Sequence, residues 1–256
     1  MITDMVRIFK QKLQTDFVLG PFCKTKDAAF IEIAGYSGFD FVIIDLEHGP
    51  NSVETTQNLI RAAQVANIFP IIRVKENNNS IIGEVLDIGA GGIQIPQITC
   101  PEDVKEIISV SKFSPLGMRG LCRFVRASDY SAVDRFEYMK NANETVVILQ
   151  LESIGAINEI ERILDVKGFD IIFIGPYDLS QSMGVPGQIN HPLVIEKMME
   201  IVEACKRRGI FVGTFVDSIE NAEKWKKAGV KFISYNVDVG IFHEACSGIV
   251  NTIRKS

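Results

Sequence analysis

The 256-residue sequence has no hydrophobic run long enough to cross a membrane: its densest stretches, FVII at 41–44 and VVIL at 146–149, are four residues each. Basic excess is also missing, with 27 Lys+Arg against 32 Asp+Glu and a net charge of −5. A nucleic-acid binder would show a basic face or stripe, so that class is set aside. The five cysteines, at 23, 100, 122, 205 and 246, are an odd number without a C-x-x-C pair, which excludes a disulfide framework and a thiolate zinc site. There are only three histidines (48, 191, 243). A dinucleotide-binding G-x-G-x-x-G turn is absent, as are internal repeats and Pro/Ser-rich linkers. MITDMVRIFKQKLQ at the start lacks the apolar core of a signal peptide, so a cytoplasmic enzyme-sized domain is expected.

What is present is a rhythm. Short β-branched runs occupy 17–24, 41–47, 70–75, 92–98, 146–152, 170–175, 210–215 and 231–237. Near-continuous Val/Ile/Phe runs suit strands covered on both faces, as in a parallel sheet. Amphipathic windows lie between them: 53–66 behind Asn51/Ser52, 101–113 opening Pro-Glu-Asp, 191–208 ending at Gly209, 218–228 ending at Gly229, and 240–254. Eight strands alternating with helices over this length predict one α/β domain, residues 1–256, folded as a closed (β/α)₈ TIM barrel. The span 99–145 is about twice the usual spacing and carries a basic loop, GMRGLCRFVRAS (117–128), whose Arg123 and Arg126 suggest an acidic or polyhydroxylated partner.

In such a barrel reactive groups sit at the C-terminal strand ends. Strand two ends in Asp45-Leu46-Glu47-His48-Gly49-Pro50, strand three carries Arg73 and Lys75, and strand five carries Gln150 and Glu152 on one face. Strand six runs into Gly175-Pro176-Tyr177-Asp178. Glu152 and Asp178 give a hard oxygen site suited to Mg²⁺ or Mn²⁺ with open positions for water and substrate. Arg73 offers a fork for a carboxylate or enolate oxygen. Asp45, three residues before His48, is placed to orient its imidazole as a base. Backbone N–H groups of the Gly175–Ser180 turn are placed to receive a carboxylate. His191 before Pro192 reads as a helix cap, His243 as a surface residue, and Asp87 as a loop cap or an interface carboxylate.

Four blocks resemble the HpcH/HpaI-type class II pyruvate aldolases: FDFVIIDLEHGPN (39–51), IIRVKENNNSIIGEVLDIGAGGIQIPQI (71–98), RGLCRFVRAS (119–128) and QLESIGAINEIERILDVKGFDIIFIGPYDLSQSMG (150–184). The resemblance implies a barrel of the phosphoenolpyruvate/pyruvate-domain type that cleaves 4-hydroxy-2-oxo acids to pyruvate and an aldehyde. It further implies a homohexamer, a trimer of dimers exchanging the last helix, with small-molecule 2-oxo acid and aldehyde substrates. By that resemblance Glu152 and Asp178 hold Mg²⁺, Mn²⁺ or Co²⁺, and His48 with Asp45 is the base. Arg73 meets the 2-oxo oxygen, Gln150 lies beside the metal, and the backbone of Gly175, Pro176, Tyr177 and Asp178 binds the pyruvate carboxylate. Asp87 matches a carboxylate given by a neighbouring subunit. The sequence departs from the family pattern at Leu46, Gly49, Tyr177 and the 121–124 loop, which bears on the aldehyde. A Schiff-base aldolase would need a strand-end lysine, for which only Lys24 and Lys75 are available. The residues also leave room for a CoA-ester lyase and for a non-catalytic carboxylate-binding barrel.

Overall fold

The computed structural model describes residues 2–255. Eight parallel strands close in sequence order into one barrel. They are β1 (Val18–Cys23), β2 (Phe41–Asp45), β3 (Phe69–Arg73), β4 (Gly92–Ile95), β5 (Val146–Leu151), β6 (Ile171–Ile174), β7 (Phe211–Val216) and β8 (Phe232–Val237). The starts of all eight lie within one residue of the β-branched runs.

The described residues form twelve α-helices: α1 (Ile2–Thr15), α2 (Ala28–Tyr36), α3 (Val53–Val65), α4 (Asn79–Asp87), α5 (Pro101–Ser111), α6 (Arg135–Ala142), α7 (Ile154–Asn158), α8 (Ile160–Asp165), α9 (Pro176–Ser182), α10 (Pro192–Arg208), α11 (Ile219–Ala228) and α12 (Asp238–Lys255). Their ends follow local chemistry. Ser52 and Thr55 form a reciprocal cap on α3, and His191 Nδ1 accepts the Leu193 N–H at the start of α10. Gly209 and Gly229 end α10 and α11 in the left-handed conformation.

Alternation along each strand sorts side chains into two cores. Val42, Ile44, Ile72, Val147, Leu149, Ile172 and Ile174 pack outward against the helices. Phe22, Phe41, Ile43, Phe69, Ile71, Ile148, Phe173 and Phe232 fill the barrel. The strand register places Asp45 beside Arg73 and Arg73 beside Gln94, so the interior layer nearest the C-terminal rim becomes polar where the two below it are apolar.

Helix α1, absent from the sequence-derived pattern, closes the other end of the barrel. Its Phe9 stacks on Phe69 with ring centres 4.2 Å apart and meets Phe41 and Phe232 edge-on. Val6 and Leu13 complete the plug. Burying three such side chains is worth roughly 5–8 kcal/mol of transfer free energy before ordering costs. The interior is therefore reachable only from the C-terminal rim.

The 112–145 span lies at the plugged end. Lys112 Nζ donates to the carbonyls of Asn143 (2.8 Å) and Thr145 (2.6 Å), and burial lowers its pKa to about 8. Arg126 reaches the Ile88 carbonyl at 3.0 Å, beside the start of β4. Within one chain, Arg123 and Arg126 thus sit at the end opposite the strand C-termini. Helix α5 runs back down the barrel, so whatever follows it emerges at the strand starts.

Candidate active site

A cavity of about 310 Å³ opens at the rim, lined by Phe22, Lys24, His48, Arg73, Gln150, Phe173, Gly175–Asp178, Phe215 and Val237. A larger one, about 560 Å³, lies at the plugged end between α1 and the 112–145 span. There Asp87 is paired with Arg119 at 2.7 Å. The chemistry sits in the smaller cavity.

Its floor is set by the Asp45–Arg73 pair. Arg73 Nε and Nη2 donate to the two Asp45 oxygens at 2.9 and 2.8 Å, the bidentate fork that a guanidinium makes with a carboxylate. The guanidinium also lies over the Phe22 ring, 4.6 Å from its centre, and its Nη1 is 2.9 Å from Glu47 Oε2. That last contact is an ion pair out of line for a hydrogen bond, leaving Glu47 Oε2 buried with no hydrogen-bond partner. Burial would raise the Asp45 carboxyl, but the Arg73 hydrogen bonds and charge outweigh it and hold the group below the ordinary carboxylate range.

Asp45 does not orient the His48 ring, contrary to expectation. Its Oδ1 accepts the backbone N–H groups of Glu47 (3.0 Å) and His48 (3.3 Å), and its remaining capacity is taken by Arg73. The His48 imidazole stands at the mouth, 58% exposed, with Nε2 3.8 Å from Glu47 Oε2. Asp45 shapes the loop that carries His48, and Glu47 is the carboxylate that faces the ring.

Glu152 is held by an amide relay. Gln94 Nε2 donates to Gln150 Oε1 and Gln150 Nε2 donates to Glu152 Oε2, both at 2.5 Å. Glu152 Oε1 accepts the backbone N–H of Gln97 at 2.8 Å, and the Gln97 side-chain amide reaches Glu47 Oε1 at 3.4 Å. Gln97 does this from a left-handed backbone (φ +59°), an uncommon conformation for a residue with a Cβ and one that clusters at functional sites. Gly175 closes the fourth side: a Cβ there would stand 2.9 Å from Glu152 Oε2, so the position must be bare.

The acidic groups press on one another. Glu152 is raised by burial, relieved in part by Gln150 and Gln97, with the Asp178 and Glu47 charges adding to the rise. Glu47 is raised by burial, against the pull of Arg73 and Gln97, with Asp45 and Asp178 adding. Three mutually repelling carboxylates with one unpaired buried oxygen form a donor set fitted to a hard divalent cation. Among the described residues no group of three or more His, Cys, Asp or Glu is arranged to hold a metal ion, so the protein would offer at most two ligands here. The fit is to an open site.

Of the four residues expected to receive a carboxylate through their backbone, Gly175 spends its N–H on the Leu151 carbonyl (3.1 Å) and Pro176 has none. The donors narrow to the first-turn N–H groups of Tyr177 and Asp178, which precede any helical acceptor. Tyr177 bridges two rim loops, donating its hydroxyl to Asp217 Oδ2 at 2.7 Å beside the Phe215 ring. Asp87 does not join the rim of its own chain. Lys24, one of the two lysines available for a Schiff base, is ion-paired with Asp45 at 3.8 Å, and Lys75 is exposed. Glu47, which the strand-two end brings to the rim without a role of its own, joins the site, as do Gln94, Gln97 and Asp217, which the sequence pattern does not mark.

Residues 19–245 match the sequence profile described as HpcH/HpaI aldolase/citrate lyase. A 2-keto-3-deoxy-L-rhamnonate aldolase of Salmonella schwarzengrund is 35% identical over 244 residues, 93% of this chain and 89% of that protein. The crystal structure of an HpcH/HpaI aldolase/citrate lyase family protein from Burkholderia cenocepacia superposes with a TM-score of 0.91 at 30% identity, covering 96% of this chain and 99% of that one. That of a citrate synthase gives 0.87 at 33% identity, covering 96% and 97%.

Proposed function

The chain belongs to the HpcH/HpaI aldolase/citrate lyase family, and from that membership we propose that it cleaves a 4-hydroxy-2-oxo acid to pyruvate and an aldehyde. It also runs the reverse addition. The observation that carries this reading is the braced Arg73 guanidinium, which lines one dead-end cavity with His48, Asp178 and Gln150, the amide that donates to Glu152 Oε2. The curated relative's 2-keto-3-deoxy sugar acid is a substrate of this chemical form.

Glu152 and Asp178 would hold a divalent ion, Mg²⁺, Mn²⁺ or Co²⁺, which when bound would supply Lewis-acid chemistry. The Tyr177 and Asp178 N–H groups receive the substrate carboxylate. Arg73, fixed by Asp45 and stacked on Phe22, directs its remaining N–H bonds at the 2-oxo oxygen. Being fixed beforehand, it meets the charge that develops there without reorganising. His48 at the mouth takes the proton of the 4-hydroxyl, and Glu47 Oε2 stabilises the imidazolium that results. As that O–H bond breaks, the C4–O bond becomes a carbonyl and the C3–C4 electron pair passes into the pyruvate enolate. The aldehyde leaves, and a proton returned to C3 completes pyruvate.

The assembly belongs to the same proposal. Helix α12 is anchored by Asp238, whose carboxylate takes the Lys24 and Thr25 N–H groups and the Thr25 hydroxyl. Beyond it, Phe242, Ile249, Val250 and Ile253 are exposed, and Asp238 is the helix's only buried residue among those described. An apolar helix face of that kind fits a second copy exchanging the same helix, and the family resemblance implies three such dimers in a hexamer. Asp87 then serves a neighbour's site.

The test is pyruvate release from a panel of 4-hydroxy-2-oxo acids, coupled to lactate dehydrogenase, with EDTA and then with each metal restored. Activity that vanishes with chelator and returns with metal is expected. Chelator-resistant activity trapped by borohydride would move the chemistry to Lys24. Cleavage of a CoA ester without pyruvate release would favour the CoA-ester lyase reading.

A further inference from the structure

We propose that Gln94, which lies outside the cavity lining, is a positioning residue: it holds the Gln150 amide in the one orientation that donates to Glu152, and so sets how tightly the acidic site takes a divalent ion. The inference rests on the metal-dependent reading above and deepens it.

Ile93 and Ile95 of β4 pack outward against the helices, so Gly92 and Gln94 face the barrel interior. Gln94 pairs in register with Arg73 on one side and Ile148 on the other, which puts it one inward position below Gln150. It is fully buried, and Gln150 rather than Gln94 reaches the cavity. Packing alone would favour an aliphatic side chain at that place, such as the neighbouring Ile148. The amide brings a cost instead, because its Oε1 is buried with no hydrogen-bond partner. Among the described residues its side chain makes one hydrogen bond, the donation from Nε2 to Gln150 Oε1.

Counting donors and acceptors accounts for that cost. An ionised carboxylate can only accept, so Gln150 must turn its N–H₂ toward Glu152 Oε2, as it does. The Gln150 oxygen then faces away from the carboxylate, buried, and requires a donor. Gln94 supplies one, and in doing so leaves its own oxygen unpaired. Turning Gln150 over would set its oxygen against the carboxylate, and turning Gln94 over would set one amide oxygen against the other. The relay thus moves the unpaired atom from the ion-binding end to the end remote from it. With Oε1 taking the Gln97 N–H and Oε2 taking Gln150, the Glu152 carboxylate is aimed, and each oxygen keeps a lone pair for an ion.

Methionine at 94 keeps the length of the side chain and removes the donor. Mn²⁺ affinity is measured by calorimetric titration of metal-free wild type, Q94M, Q150M and Q94M/Q150M, with thermal unfolding in chelator as the check on folding. Q94M should bind Mn²⁺ about tenfold more weakly than wild type, the lower end of what losing a supporting hydrogen bond does to a metal site. Q150M should bind at least about tenfold more weakly. The double variant should match Q150M within about twofold, because Gln94 has nothing to act on once Gln150 is gone. A residue that only supported the barrel would weaken binding by the same factor with and without Gln150.

Q94M as tight as wild type overturns the inference, as does a double variant weaker than Q150M by the factor that separates Q94M from wild type. A double variant weaker than Q150M overturns it equally where Q94M alone does not fold. A wild type that binds neither Mn²⁺ nor Mg²⁺ removes the metal-dependent reading itself, and this inference with it.

Discussion

Replacing Arg73 by Ala probes both the fold and the chemistry, and the Asp45 contacts set how much of each. The substitution strips Asp45 of its bidentate partner while leaving the carboxylate fully buried. An uncompensated buried charge costs about 3–5 kcal/mol. Asp45 can escape by taking up a proton, at about 1.4 kcal/mol per pH unit above its ordinary value of 3.8. That route caps the Asp45 penalty at about 4 kcal/mol at pH 7 and about 2 kcal/mol at pH 5. Loss of the stacking on Phe22 adds about 1 kcal/mol at either pH.

The sign of the pH dependence follows from the two states of Asp45. In the wild type its pKa is depressed, so its contribution is present above the ordinary value and fades only as pH falls through the depressed one. Without Arg73 burial pushes the same group up, and the penalty grows as pH rises through the ordinary value toward the raised one. Urea-unfolding midpoints in chelator should therefore show R73A closest to wild type at pH 5 and furthest at pH 8. D45N/R73A, which removes the charge, should lose most of that slope. A stability deficit equal at pH 5 and pH 8, or a double variant as unstable as R73A, would refute the reasoning. On the folded fraction, turnover should fall by about 10²–10³.

Glu152→Gln should cost no relay hydrogen bond, because Gln150 and Gln94 can both turn over to reverse its direction and the Gln94 oxygen is unpartnered as it stands. Calorimetry should find the metal-free variant at least as stable as wild type at pH 8, where the ionised Glu152 is a buried penalty. Added Mg²⁺ or Mn²⁺ should no longer raise its melting temperature, and metal-dependent turnover in the variant would contradict the ligand role. Because burial raises Glu152 and Glu47, protons compete for the site above the usual carboxylate range. Metal affinity followed by titration should weaken as pH falls from 8 to 5; a flat profile would count against those carboxylates as the site. Gly175→Ala places a methyl 2.9 Å from Glu152 Oε2 and should cut kcat about 10–100-fold on the folded fraction, since it disturbs what orients a ligand. F242D/I249D should convert the assembly to smaller species by light scattering, and an unchanged mass would show that α12 is not the interface.

The strands are legible because burial on both faces demands uninterrupted β-branched residues, and the polar layer because Asp45, Arg73, Gln150 and Glu152 interrupt it at inward positions. What escapes depends on register or backbone conformation. Asp45 and His48 are three apart in sequence, but Asp45 and Arg73 are directly opposed between β2 and β3, and a fork between neighbours outcompetes the ring. Gln97 acts through its own N–H in a left-handed conformation, which no pattern of side chains announces. Asp217 escapes for a simpler reason: the run at 210–215 stops short of the rim, whereas β7 continues to Val216 and Asp217 is the rim residue that follows. The parity of the barrel holds one further lesson. Residues after a strand emerge at the rim and residues after a helix at the plugged end, so Asp87, Arg123 and Arg126, each following or ending a helix, cannot meet a substrate of their own chain. The uncovered face of α12 asks for a second copy, so mass measurement on wild type and on F242D/I249D bears on that face directly.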